Sequence, residues 1–212
     1  MTHQELSRLV ALGEGIHLEF KRKVPRPERM AKEVIALANT HGGHVLLGVA
    51  DDGTVVGLRD AEEEEFALRS ALAEHCRPHV PVRMERVAIT RRRDVIVVHV
   101  PESREKPHRL VRPGERRGRA FVRVEDKSVE ASREVVALMR GEEADSVRFE
   151  FGDKELMLMR YLDAYGQITV RQFATLADIP RRRASATLVL LTRANVLRLH
   201  PDDRQDYFTL AY

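Results

Sequence analysis

The feature that most constrains this chain is a helix, a glycine pair and an apolar segment that follow one another between residues 28 and 53. Apolar residues recur at helical spacing from Glu28 to Asn39, and Gly42 with Gly43 predicts the end of that helix. The run from Val45 to Val49 has no polar side chain, which is typical of a central strand buried on both faces. Asp52 and Gly53 then predict a turn. This order predicts a sheet whose central strand is covered on both sides.

The segments around this core show either strand or helix periodicity. Strands are predicted at 16–20, 54–58, 82–90, 95–100 and 120–124, and helices at 4–12, 60–76 and 130–139. Strands and helices do not alternate strictly, so the pattern favours an α+β domain, with a mixed sheet, over residues 1–145.

The C-terminal part, residues 150–212, has a different pattern. Helices are predicted at 155–165, 170–176 and 181–193, followed by a hairpin, which is the order of a winged helix-turn-helix domain. Arg181, Arg182 and Arg183 begin the third helix, where side chains and the helix dipole can meet phosphate. Residues 151–212 contain nine Lys/Arg and seven Asp/Glu, and this near balance leaves dimerisation or domain docking as the alternative role.

Three carboxylates are candidates for a metal site and for catalysis. Glu14 and Glu19 would face opposite sides of one regular strand, but they converge if Glu14 precedes the strand at a bend. Asp51 follows the central strand, where α/β proteins often place ligands. Together Glu14, Glu19 and Asp51 could bind Mg²⁺ or Mn²⁺ and act on a phosphate. The alternative is that Glu19 is solvated beside Lys21 and that Asp51 belongs to a turn.

An arginine-rich stretch lies between Pro101 and Arg123. It contains eight Lys/Arg and three Asp/Glu, and its glycines predict a flexible loop or a hairpin. A basic loop of this kind can bind phosphates through salt-dependent contacts. The alternative is that it is only a solvated surface loop. The candidate nucleic-acid-binding residues of the first domain are Lys21, Arg104, Lys106, Arg109, Arg112, Arg116, Arg117, Arg119 and Arg123.

Composition limits the class of protein. The net charge is only +3, so any basic surface must be local. Cys76 is the sole cysteine, which excludes an intrachain disulfide and a thiolate zinc cluster and fits the reducing cytoplasm. No apolar run reaches the roughly 20 residues that span a bilayer, so no membrane partner is expected. The GxxxxGK[ST] motif does not occur, so ATP binding has no phosphate-loop support.

An ordered series of motifs resembles the Schlafen AlbA_2 domain family. The series is Glu14 with Glu19-Phe20-Lys21, then residues 35–43, then residues 47–53, and the resemblance covers roughly residues 5–140. The family is also described as DNA-binding or as divergent AAA-4 ATP-binding. In its nuclease-active members an acidic site cuts tRNA-like RNA, and its positions fall on Glu14, Glu19 and Asp51. Those relatives build an RNA groove from two lobes, so the resemblance implies a homodimer or higher oligomer for cleavage by this chain.

Three functions are therefore expected in order. The first is a module that binds DNA or structured RNA, with transcriptional regulation as a role for such a module. The second is a divalent-metal endoribonuclease. The third is a protein-protein adaptor whose C-terminal domain only dimerises.

Overall fold

The computed structural model describes residues 1–112, 114–115, 117–141 and 152–212. Its helices are α1 (His3–Ala11), α2 (Pro27–Asn39), α3 (Ala61–His75), α4 (Arg133–Met139), α5 (Asp153–Tyr165), α6 (Val170–Leu176) and α7 (Arg181–Arg193). Its strands are β1 (Leu18–Lys21), β2 (Gly43–Leu47), β3 (Cys76–Arg77), β4 (Arg83–Thr90), β5 (Arg93–Val100), β6 (Arg109–Leu110), β7 (Arg119–Val124), β8 (Lys127–Glu130), β9 (Leu197–His200) and β10 (Tyr207–Leu210). The chain divides into two compact units, Met1–Glu130 and Ala131–Tyr212. None of the helices in the described part of the chain is both long and apolar enough to cross a membrane.

The first sheet of the first unit is mixed, in the order β1-β2-β5-β4. Strand β1 runs parallel to β2, whereas β2 with β5 and β5 with β4 are antiparallel. In β2, Val45 and Leu47 pack into the core that contains α2 and α3, while Leu46 packs into a second core with Leu6 of α1. The predicted central strand is therefore buried on both faces, and the predicted α+β class with a mixed sheet is confirmed.

One predicted strand does not form. Residues 54–58 make only isolated bridges, from Val55 to Val49 and from Leu58 to Asp94. Gly57 has a φ of 69°, in the left-handed region, so the backbone cannot continue as an extended strand there. Val55 and Leu58 instead pack against the two cores of the unit without a ladder of their own.

The second sheet of the first unit has the order β3-β6-β7-β8 and is antiparallel. Strands β6 and β7 come from the arginine-rich stretch, so this stretch forms a hairpin, one of the two forms that its glycines predicted. Its strand β6 spans only Arg109–Leu110, too short for periodicity to reveal.

The C-terminal end of α2 is fastened to this second sheet by buried polar groups. The Asn39 amide donates to the carbonyls of His108 and Phe121, both at 2.9 Å, and its oxygen accepts from the His108 N–H at 2.8 Å. The Thr40 hydroxyl accepts from the Arg123 N–H at 2.8 Å. These bonds fix the position of α2 along β7.

The second unit contains helices α5, α6 and α7 and the antiparallel hairpin of β9 and β10. Leu158, Phe173, Leu188 and Phe208 come together in its core. The sequence placed the helix at 130–139 in the first domain, but α4 belongs to the second unit. Arg193 of α7 donates to the carbonyl of Ala137 at 2.8 Å, which holds α4 against α7.

Candidate nucleic-acid interface

Glu14 lies just before β1, at the bend that the sequence predicted. Gly15 and Leu18 pair through an isolated bridge, and the Glu14 carboxylate accepts a hydrogen bond from the Phe20 N–H at 2.8 Å. Burial raises the pKa of Glu14, and the negative charges of Glu19 and Asp51 raise it further against the opposing effect of the Phe20 N–H and of Lys21. The bend therefore brings all three predicted carboxylates into one electrostatic neighbourhood.

Glu19 is buried and already neutralised by two cations. Lys21 Nζ pairs with one carboxylate oxygen, and Arg123 Nη2 lies 2.5 Å from the other. The Arg123 guanidinium is fully buried and also contacts Glu33, at 3.3 Å. It further donates to the carbonyls of Gly15 and Leu18, at 3.1 and 3.2 Å. Glu19 is thus part of a buried ion-pair network.

The donor atoms of this cluster suit a hard divalent cation, but their arrangement does not form its coordination shell. Among the described residues, no group of three or more His, Cys, Asp or Glu side chains is placed to hold a metal ion. The Glu14 carboxylate accepts a hydrogen bond from the Phe20 N–H, and the Glu19 carboxylate is ion-paired with Lys21 and Arg123. Asp51 is exposed. A divalent cation would have to displace Lys21 and Arg123 from Glu19.

The predicted cations of the first unit separate into three groups. Arg104, Arg112 and Arg117 are exposed, Arg119 keeps 41% of its side-chain exposure, and Arg116 lies outside the described residues. Lys106 and Arg109 are partly buried: Lys106 binds the Thr40 carbonyl and Glu102, and Arg109 binds the Gly118 carbonyl.

Lys21 is also partly buried, and its ammonium group binds Glu19 and the Phe20 carbonyl. Arg123 has a side-chain exposure of 0%, so it cannot reach a phosphate and is not retained in the interface.

The structure adds three cations that the sequence analysis did not select. Arg26 is the N-cap residue of α2, and Arg29 and Lys32 lie in its first half. These three cations line a groove together with Arg112 and Arg119. We call this the basic groove, a concave site of about 820 Å³ whose other lining residues are Pro25, Glu28, Leu110 and Phe121. The sequence signal that could have found these cations is their three-residue spacing, which makes Arg29 and Lys32 neighbours on the surface of α2 and puts Arg26 just before it. Five cations and one acidic residue line the basic groove. Two of these cations also pair with acidic residues outside the lining: Lys32 with Glu33 and Arg119 with Glu130, both at 3.4 Å.

In the second unit, Arg181, Arg182 and Arg183 are all exposed at the start of α7. The N-cap residue, Pro180, makes no side-chain hydrogen bond to the first turn, whereas Thr169 caps α6. The sequence prediction that these three arginines share one exposed helix end agrees with this placement.

A pair of histidines lies on the first sheet, and His99 Nε2 is 3.5 Å from the Glu85 carboxylate. His44 of β2 and His99 of β5 are register partners, and their rings meet edge to face with centroids 4.8 Å apart. Burial lowers the pKa of both rings, and Arg83 lowers both further, with the His44 pKa also lowered by His99. Both imidazoles are therefore held in the neutral form more strongly than free histidine.

Comparison with known proteins places the first unit in a family. Residues 14–132 match the model of the family described as Schlafen, AlbA_2. The N-terminal domain of a RecG-related protein from Nitrosomonas europaea is 27% identical, with a TM-score of 0.41 over 57% of this chain and 86% of that one. The DIP2311 protein from Corynebacterium diphtheriae is 20% identical, with a TM-score of 0.39 over 56% of this chain and 25% of that one. No curated protein matches the chain.

Proposed function

The chain belongs to the Schlafen AlbA_2 family, and from this premise we propose that it is a nucleic-acid-binding protein. The observation that carries the proposal is the basic groove. Its cations come from two elements, α2 and the β6–β7 hairpin, so that positive charge borders the site from both sides. Phosphate oxygens are the natural partners of such clustered arginines, because the planar guanidinium donates two parallel hydrogen bonds.

The electrostatic contribution of this groove to binding can be measured from the dependence of the binding constant on salt concentration. Binding of a single strand changes log K by about −0.7 for each phosphate contact per unit of log salt concentration, because condensed counterions are released. If all five groove cations contact phosphates, the slope is about −3.5. A slope of this size would support an extended phosphate-binding surface.

Fluorescence anisotropy with labelled single-stranded and duplex DNA and RNA, from low to moderate salt, tests the proposal. We expect Arg26→Gln/Arg29→Gln to make the slope shallower by about 1.4, since two phosphate contacts are lost. Arg91→Gln/Arg92→Gln is the matched control, because these exposed arginines lie between β4 and β5, outside the groove. Absence of binding at low salt, or a flat salt response, would refute the proposal and would favour the adaptor alternative.

We propose that the second unit is a winged helix-turn-helix domain and that α7 enters the major groove of DNA. The order of three helices followed by a hairpin, and the three exposed arginines at the start of α7, support this assignment. Arg181→Gln/Arg182→Gln should weaken binding of duplex DNA relative to the control Arg91→Gln/Arg92→Gln. If the two variants bind duplex DNA with equal affinity, α7 does not contact DNA, and assembly is the remaining role for the second unit.

A homodimer or higher oligomer is part of the same proposal, since nuclease-active relatives combine two lobes. Light scattering after size-exclusion chromatography should give a mass of at least twice 24.2 kDa. A monomeric mass at all loading concentrations would exclude it.

The second candidate function is cleavage of RNA with Mg²⁺ or Mn²⁺. The observation that favours it is that the charges of Glu19 and Asp51 both act on the half-buried Glu14, whose pKa burial already raises. We derive no metal-dependent step, because Glu19 is occupied by Lys21 and Arg123. Purified protein with tRNA and Mn²⁺ should give products that Glu19→Gln does not give; no cleavage, or equal cleavage by both proteins, would exclude this candidate.

A further inference from the structure

The basic groove offers more than positive charge, because its base is apolar. Leu110 and Phe121 are 3% and 6% exposed, and Pro25 also lines the site. A surface that only attracts the outside of a duplex needs no apolar base, since the outside of a duplex presents phosphates and sugars. The unpaired bases of a single strand do present apolar faces.

Arg119 gives this base a second way to contact a nucleobase. Its guanidinium carbon lies 6.0 Å from the centre of the Phe121 ring, and its ion pair with Glu130, at 3.4 Å, involves two exposed side chains. With 41% of its side chain exposed, Arg119 remains accessible to a ligand. Single-strand-binding proteins stack bases on arginine planes as well as on aromatic rings.

The spacing of the cations also suits a single backbone. Arg26 is the N-cap residue of α2, and Arg29 and Lys32 follow at three-residue intervals on the helix, so the three cations form a row along its first two turns. Arg112 and Arg119 belong to the hairpin that borders the same groove. A flexible single strand can lie between these two rows, whereas a duplex is too wide to enter a site of about 820 Å³.

We therefore propose that the basic groove is a site for single-stranded nucleic acid, DNA or RNA, with phosphates on the α2 cations and one base against Arg119. This inference rests on the proposed function and specifies the substrate class of its site. Duplex binding, where present, is assigned to other surfaces, such as the start of α7.

The test compares variants of the full chain on a mixed-sequence 12-nucleotide single strand and on the same strand annealed to its complement. We expect Arg26→Gln/Arg29→Gln to weaken single-strand binding about ten-fold or more at low salt and to change duplex binding less than two-fold. Arg91→Gln/Arg92→Gln should change neither. Equal weakening on both probes, or no single-strand binding by the unmodified chain, would overturn the inference.

The contact with a base can be tested by substitutions that preserve the positive charge. Arg119→Lys removes the planar guanidinium, so we expect about five-fold weaker single-strand binding with an unchanged salt slope. Arg112→Lys is the matched control and should have a smaller effect. Equal effects of the two variants would contradict the proposed role of Arg119. If no probe binds, the proposed function itself fails; if only the duplex binds, the single-strand site alone is wrong.

Discussion

Replacing Arg123 with methionine is the substitution whose cost the structure defines best. The guanidinium is fully buried and satisfies Glu19, Glu33 and the carbonyls of Gly15 and Leu18. Removing one partner of a buried ion pair costs about 3–5 kcal/mol, because the remaining charge is left uncompensated. Two carboxylates lose this cation, but Glu19 keeps Lys21 and Glu33 keeps Lys32, which favours the middle of that range. We expect Arg123→Met to lower the free energy of unfolding by about 4 kcal/mol.

Urea denaturation followed by circular dichroism measures this cost directly. A loss of this size corresponds to a fall in melting temperature of about 12–20 °C for a unit of this size. Arg119→Met on the same strand is the control, and because its ion pair is exposed we expect a loss below about 1 kcal/mol. Adding Glu33→Gln to Arg123→Met should restore part of the stability by removing one uncompensated charge. Equal losses for Arg123→Met and Arg119→Met would refute the buried network.

Three further predictions concern Asn39, the His44–His99 pair and Cys76. Asn39→Leu should cost about 3 kcal/mol or more in urea unfolding, because it leaves the His108 N–H and two carbonyls without partners; a loss below about 1 kcal/mol would contradict this role. The folded pKa values of His44 and His99 lie below the unfolded value of 6.5, so the unfolding free energy should hold steady above that pH and fall as the pH drops below it. In His44→Gln/His99→Gln this fall should be smaller, and an unchanged pH profile would exclude the pair as its source. Burial raises the pKa of Cys76 to about 12, so a thiol reagent should label it only in urea, and rapid labelling of the native protein would show that the thiol is accessible.

The sequence was sufficient to predict the elements in which apolar residues recur regularly over many positions. The helix predicted at 28–39 is observed at Pro27–Asn39, and the helix predicted at 181–193 is observed at Arg181–Arg193. Strand β2 could be predicted because a strand covered on both faces has no polar positions. Strands β3 and β6 have two residues each, so they contain no period to detect, and only the register of their partners defines them.

The site could be predicted only in part, for a different reason. Sequence proximity grouped Arg119 with Arg123, but a strand of six residues can begin at the surface and end beneath a helix. Conversely, Arg26 and Arg112 are far apart in sequence and meet only because α2 packs on the second sheet. The bend at Glu14 was predictable, because an odd spacing between two carboxylates that share a site requires one.

The buried network and the basic groove depend on the same packed pair, α2 with β7. Lys32 lines the groove, while the next residue, Glu33, binds Arg123. On β7, Arg119 and Phe121 line the groove and Arg123 lies two residues further along the same face. The Arg123–Glu33 pair therefore fixes the position of α2 along β7, and with it the distance between the two rows of cations. It follows that Arg123→Met should weaken single-strand binding at temperatures where the protein remains folded, although Arg123 itself cannot touch the ligand.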